Sequence, residues 1–150
     1  MVRVLFVCHG NICRSPMAEF VMKDLVEKSD LSSQIYVESA ATSIEELGND
    51  IHPGTKRKLR EVGIPFSKRA ARQITSRDYV HFDYIIVMDS HNLSNLRRII
   101  WNDPEHKVYR LLDFTDRKVK DIADPWYTGD FDTTYKDVLE GCKGLLKRLI

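Results

Sequence analysis

Cys8 and Arg14 bracket the loop His9-Gly10-Asn11-Ile12-Cys13, and Ser15-Pro16 follows at once. A thiol, a short polar loop and a guanidinium at this spacing suit one kind of chemistry: holding a tetrahedral oxyanion above a nucleophile. The run Val4-Leu5-Phe6-Val7 before the loop is apolar and β-prone. Ser15 reads as a helix N-cap and Pro16 as the first helical residue, so the stretch is expected to be strand, loop, helix. Backbone N–H groups of such a loop converge at a helix N-terminus, where unpaired donors and the helix dipole stabilise an anion. Gly10 and Asn11 tolerate the left-handed backbone needed to turn successive amides inward. Arg14 adds a planar fork matched to two phosphate oxygens. A free thiol titrates near about 8.5, and surroundings of this kind lower it by several units. Cys8 is then expected to be a thiolate aimed at phosphorus, the arrangement for nucleophilic hydrolysis of a phosphate ester.

The leaving oxygen needs a proton, and a carboxylic acid near the loop can supply it. Asp124 is the candidate, in Asp124-Pro125-Trp126-Tyr127. Alone, Asp-Pro is an ordinary turn start and Trp-Tyr an ordinary pair of core aromatics. In the same chain as the Cys8 loop, the acid becomes the better reading. Pro125 biases Asp124 to extended geometry, and Trp126 and Tyr127 would wall a slot suited to a flat phenyl ring. No metal is called for, because the loop amides and Arg14 carry the charge. The five histidines show no metal-ligand spacing, and no cofactor motif is present.

These groups must be positioned by strands alternating with helices. Strands are expected over residues 3–7, 35–39, 84–88 and 107–111. Helices are expected over about 16–28, 55–61, 75–80 and 131–149, with a further one after Asp89 or Ser90. In it, Leu93, Leu96 and Ile100 face inward. The apolar stretch Tyr84–Met88 suits a sheet covered on both faces. The last helix keeps helical spacing through Tyr135, Val138, Leu139, Cys142, Leu145, Leu146 and Leu149. Residues 42–54 and 112–128 read as loops, the second long enough to suggest function. The result is an α/β fold, a parallel sheet with right-handed crossovers and the phosphate loop beyond the carboxyl end of strand 1.

A chain of 150 residues is one domain by length, here taken as 1–150. The formal net charge of +1 provides no field that would mark nucleic acid as a partner. The basic runs Lys56-Arg57-Lys58 and Lys68-Arg69 are expected to be a solvated face before a docking site. No apolar stretch approaches a membrane span, and no signal peptide is visible. Three cysteines without metal spacing suggest a reducing, cytoplasmic setting.

Cys8-x5-Arg14-Ser15 with Gly10, Asn11 and Cys13 between them resembles the signature of the low-molecular-weight protein tyrosine phosphatases. So do Ser39-Ala40-Ala41, Ala71-Arg72-Gln73-Ile74-Thr75, Phe82-Asp83-Tyr84-Ile85, Met88-Asp89 and Asp124-Pro125-Trp126-Tyr127. The resemblance covers nearly the whole chain and implies a four-stranded parallel sheet flanked by helices on both faces. It implies Cys8 as nucleophile, Arg14 as phosphate clamp, Asp124 as general acid and base, and residues His9 to Ser15 as the phosphate cradle. Phosphotyrosine proteins would be substrates, and phosphate-like oxyanions inhibitors. Ser15 and Ser39 match a side-chain network that holds Asn11 in the family. Family members often carry a histidine before Ala-Arg-Gln, whereas this chain has Arg69. Glu45 falls where many relatives place an aromatic residue on the wall opposite Trp126. Cys13 reads as a packing residue, a trap for oxidised Cys8, or both at once. Some bacterial members leave the cell without an ordinary signal.

Two further enzymes and one binding module compete with this reading. Phosphoarginine hydrolysis uses the same scaffold, but relatives with that activity have Thr where this chain has Ile12. Arsenate reduction needs a cysteine pair in mid-chain, and none lies between Cys13 and Cys142. A phosphotyrosine-binding or redox-sensing module without turnover would be expected to have lost Cys8, Arg14 or Asp124.

Overall fold

The computed structural model describes residues 1–100 and 102–150. Four strands, β1 (Val2–Cys8), β2 (Ile35–Ala41), β3 (Tyr84–Val87) and β4 (Val108–Arg110), form one sheet in the order β2-β1-β3-β4. All pairings are parallel, and Cys8 lies opposite Ala41 at the carboxyl end of β1. Strands β1 and β3 are the two central ones, which is why Val4–Val7 and Tyr84–Val87 are unbroken apolar runs. Alternation sends Val4, Phe6 and Cys8 to one face and Leu5 and Val7 to the other. The first face is covered by α1 (Arg14–Lys28), α2 (Pro53–Glu61) and α6 (Phe131–Leu149), the second by α3 (Ser76–His81) and α4 (Ser90–Leu96).

Helix α1 begins two residues earlier than Ser15-Pro16 predicts. Cys13 occupies the N-cap position and offers no side-chain cap, and Pro16 is the third helical residue. Proline is tolerated there because the first N–H groups of a helix have no partner within it. The N-cap reading of Ser15 is therefore corrected, and its hydroxyl is free for the loop. Arg14 through Met22 are buried on every side, since this half of α1 is wedged between the sheet and α6.

Helix α2 also starts two residues early, because His52 caps it: its Nδ1 accepts from Gly54 N at 2.9 Å, with Pro53 as the first helical residue. Asp89 rather than Ser90 caps α4, Oδ1 accepting from Asn92 N at 2.7 Å. Leu96 and Ile100 are buried as expected, although α4 itself ends at Leu96. The stretch read as an irregular connection over 112–128 contains a 3-10 turn, Leu111–Phe114, and a single helical turn, α5 (Pro125–Thr128), closed by Gly129 at φ 71. Ile122 N donates to Met88 O at 3.0 Å, tying this segment to the end of β3. Among the described residues no helix is long and apolar enough to cross a membrane.

Candidate active site

Beyond the carboxyl end of β1 the chain wraps into a cradle whose carbonyls are held from outside. Cys8 O accepts from Thr42 N (2.9 Å), His9 O from Ser43 N (3.1 Å) and Ser43 Oγ (2.8 Å), and Ile12 O from His52 N (2.9 Å). Asn11 O accepts from Arg69 Nη2. In a planar trans peptide the next N–H points opposite to its carbonyl, and the described residues contain no cis bond. Holding these carbonyls outward therefore turns the following N–H groups inward. Cys8 lies buried at the floor, its Sγ 3.3 Å from Asn11 N and 3.1 Å from Ser15 Oγ.

Asn11 carries the strain of the turn, at φ 59. Gly10 does not, and this corrects the expectation that both adopt left-handed backbone. Gly10 matters for space instead: a Cβ there would sit 3.3 Å from Glu46 Cγ. Asn11 Nδ2 donates to Ser15 Oγ (2.8 Å) and Ser39 Oγ (2.9 Å), while Oδ1 accepts from Arg72 N at 3.3 Å. Ser39 in turn donates to Glu19 Oε1 at 2.5 Å. Such bonds keep a non-glycine residue in a conformation that costs about 1 kcal/mol or more.

The Arg14 side chain is only 3% exposed. Its Nη1 donates to Asp89 Oδ2 (2.6 Å) and Ile122 O (2.8 Å), and Nη2 lies 3.4 Å from Asp124 Oδ2. Nε is buried and has no hydrogen-bond partner. One edge of the guanidinium is thus anchored, and the Nε/Nη2 edge keeps donor capacity for an oxyanion. Burial opposes its charge, while Cys8, Asp89 and Asp124 push its pKa above the ordinary guanidinium value. Asp124, extended at φ −82 and ψ 113 as Pro125 predicts, caps α5 by accepting from Trp126 N at 3.0 Å. Burial pushes the Cys13 thiol up to about 12, and negative charge on Cys8 and Asp124 adds to it. Cys13 packs in a small apolar cluster with Ile12 and Ala71.

Over the loop opens a cleft lined by Cys8, His9, Gly10, Ile12, Cys13, Arg14, Glu45, Glu46, Asp124, Trp126 and Tyr127. Trp126 and Tyr127 are 56% and 82% exposed, which makes them rim rather than core. The Trp126 ring meets His52 edge-on at 5.7 Å, and His52 stacks on Phe131 at 5.3 Å. Glu45, also in the lining, has its Oε2 2.8 Å from His9 Nε2. Among the described residues no cluster of three or more His, Cys, Asp or Glu could hold a metal ion.

Residues 3–150 match the family model for the low molecular weight phosphotyrosine protein phosphatases. The chain belongs to this family. It is similar to the low molecular weight protein-tyrosine-phosphatase YfkJ of Bacillus subtilis, 43% identical over 147 residues, 97% of this chain and 94% of that protein. The crystal structure of YfkJ superposes with a TM-score of 0.96 over 99% of this chain and 94% of that one. A low molecular weight protein tyrosine phosphatase from Streptococcus pyogenes is 45% identical, with a TM-score of 0.89 over 100% and 94% of the two chains. A Drosophila arginine phosphatase is 33% identical, with a TM-score of 0.89 over 97% and 96%.

The residues expected to act on or bind the phosphate and its ring line one cleft except Asn11 and Ser15, which with Ser39 and Arg69 lie behind the loop in this phosphatase-family chain. Sequence reasoning missed Glu46, the His52–Phe131 stack and the Ile122 carbonyl. His52 before Pro-Gly is a legible cap signal, but its ring contacts span 74 and 79 positions. Lys56 and Lys58 pair with Asp50, Glu61 and Asp132, so this part of the basic run is largely neutralised.

Proposed function

We propose that this chain hydrolyses phosphotyrosine in proteins through a phosphocysteine formed on Cys8. The observation that carries the reading is the buried Cys8 sulfur at the floor of an inward-facing amide loop, with Arg14 and Asp124 on one wall. The loop amides and the Nε/Nη2 edge of Arg14 bind the three non-bridging oxygens. The Cys8 thiolate attacks phosphorus in line, and the P–S bond forms as the P–O bond to the phenol breaks. Asp124 as the acid gives its proton to the departing oxygen. Ser15 Oγ, within hydrogen-bond reach of the sulfur, stabilises it as it leaves again. In the second step Asp124 as carboxylate takes a proton from water, the water oxygen attacks phosphorus, and the P–S bond breaks to return thiolate and phosphate.

The depth of the slot selects the substrate. Trp126 and Tyr127 wall it on one side, and a phenyl ring spans the distance from rim to floor where a serine stem falls short. His9 and Glu45 meet the residues that flank the phosphotyrosine. Inorganic phosphate and similar oxyanions, which fit the same cradle, are inhibitors in this reading. Three free cysteines, all buried, suit a reducing compartment such as the cytoplasm. Phosphoarginine is the second substrate to weigh, because a Drosophila arginine phosphatase shares this scaffold. Ile12 in the cleft lining argues for the tyrosine ester.

The deciding experiment offers phosphotyrosine, phosphoserine and phosphoarginine peptides with a chelator present and measures phosphate release. Release from the tyrosine peptide alone is expected. Faster release from phosphoarginine would replace the proposed substrate.

A further inference from the structure

Cys13 O accepts from Thr55 Oγ1 at 3.2 Å; of the four carbonyls from Cys8 to Ile12 that are held from outside, three are held by backbone N–H groups of neighbouring segments, at Thr42, Ser43 and His52. The fourth, Asn11 O, is held by the Arg69 guanidinium. It is also the one whose residue is strained, at φ 59. The bonds that hold the Asn11 side chain leave its carbonyl untouched, because Nδ2 and Oδ1 are occupied by Ser15, Ser39 and Arg72. The Asn11–Ile12 peptide plane is therefore set by Arg69.

Arg69 is itself fixed in place. Its Nη1 donates to Asn49 O at 3.1 Å, and its backbone N donates to Asp50 Oδ1 at 3.1 Å. It lines a small polar cavity behind the loop with Asn11, Glu19, Ser39 and Arg72. Burial pulls its pKa below the ordinary guanidinium value, and Glu19, Cys8 and Asp50 act against that. A guanidinium keeps its charge even so, and a charged donor makes a stronger bond to a carbonyl than a neutral one.

We propose that Arg69 is a positioning residue for phosphate binding: by holding the Asn11 carbonyl behind the loop it aims the Ile12 N–H at the phosphate. The proposal rests on the reading of Cys8 as nucleophile. It assigns the phosphate cradle two arginines, Arg14 in the cleft wall and Arg69 outside the loop. A peptide flip at Asn11–Ile12 would replace an inward N–H with a carbonyl oxygen facing the anion, and Arg69 opposes that flip.

The test compares the unmodified protein with Arg69→Met in three readouts: thermal unfolding, inhibition by inorganic phosphate, and protection of Cys8 by phosphate against alkylation by iodoacetate. In a folded variant, phosphate inhibition is expected to weaken roughly tenfold, as for loss of one charge-assisted hydrogen bond. Protection of Cys8 by phosphate is expected to need a correspondingly higher phosphate concentration. A role in stability alone would lower the unfolding temperature and leave both unchanged, and that result overturns the proposal. Failure of iodoacetate to label Cys8 in the unmodified protein, or of phosphate to protect it, overturns the nucleophile reading as well. The unmodified, nitrogen-15-labelled protein provides a further test that needs no variant. The Arg69 guanidinium protons are expected as separate, slowly exchanging signals that shift when inorganic phosphate is added. A single averaged signal that ignores phosphate overturns the proposal.

Discussion

Asp124 does different work with each oxygen. Oδ1 accepts from Trp126 N and starts α5, while Oδ2 lies 3.4 Å from Arg14 Nη2. Asn keeps the capping function but has no acidic proton. Asp124→Asn is therefore expected to leave the fold intact and to slow phosphotyrosine hydrolysis by roughly 10²–10⁴-fold. p-Nitrophenyl phosphate, whose phenol leaves without help, should lose less in phosphoenzyme formation, measured by rapid quench. Equal losses for both phenols would remove Asp124 from the acid role. Glu45 is a subtler case, since 69% of its side chain is exposed and it pairs with His9. A carboxylate at the rim favours basic flanks and repels acidic ones. The unmodified protein should prefer Lys-flanked over Asp-flanked phosphotyrosine peptides by up to severalfold, the scale of an exposed ion pair. The preference should shrink at high salt, where screening shortens to about 3 Å at 1 M. If Glu45→Gln gives the same Lys/Asp ratio in kcat/KM at low salt, Glu45 has no part in recognition.

At the scale of the element, the N-terminus of α2 sets one wall of the slot. His52 caps the helix through Nδ1, and its ring fills the space between Phe131 at the start of α6 and Trp126 in α5. Three short-range signals, an N-cap and two helix starts, thus meet in one aromatic stack. Gly54 makes the approach possible, because a Cβ there would overlap the Phe131 ring. Gly54→Ala is expected to cost about 1–3 kcal/mol in urea denaturation, the usual penalty of overpacking. By displacing the stack it should also raise KM for phosphotyrosine peptides more than it changes kcat. Unaltered stability together with unaltered KM would show that the ring moves aside freely.

For the whole molecule, the site lies where the sheet order leaves β1 in both directions, to β2 and to β3, so that the loops after three strands converge. The loop after β2 holds the Cys8 and His9 carbonyls, and the segment after β3 supplies Asp89 to Arg14. Packing on both faces makes this convergence rigid. One ion pair on its flank is expected to be felt in acid. The Lys56 ammonium hydrogen-bonded to Asp50 holds that carboxyl at about 2, below its usual range. Because the folded-state value is depressed, the pair's contribution is complete above the unfolded carboxyl value near 3.9 and is lost as pH falls through about 2. Asp50→Asn should therefore flatten the loss of stability between about pH 4 and pH 2, measured by urea unfolding at fixed pH steps. A variant curve parallel to the unmodified one would show that the pair adds nothing in this window. The effect is small, as for other partly exposed pairs.

The sequence by itself determined what depends on neighbours in the chain. Apolar run, polar loop and helix start are adjacent between Val4 and Pro16, so the strand-loop-helix and the place of Cys8 and Arg14 were legible. Helical spacing likewise outlined α6, and Pro125 set the extended backbone of Asp124. Tertiary structure alone decided which groups those residues meet. Arg14 reaches Asp89 and Ile122 across 75 and 108 positions, and Arg69 reaches Asn11 across 58. Nothing local encodes such pairings, because the parallel crossovers bring the segments together only when the sheet forms. Ser15 shows the difference within one residue. Its composition signal is a cap, yet early entry into α1 frees its hydroxyl for Cys8 and Asn11. Gly10 shows it again: a Cβ there would press on Glu46 Cγ at 3.3 Å, a contact made 36 residues away and invisible until the chain has folded.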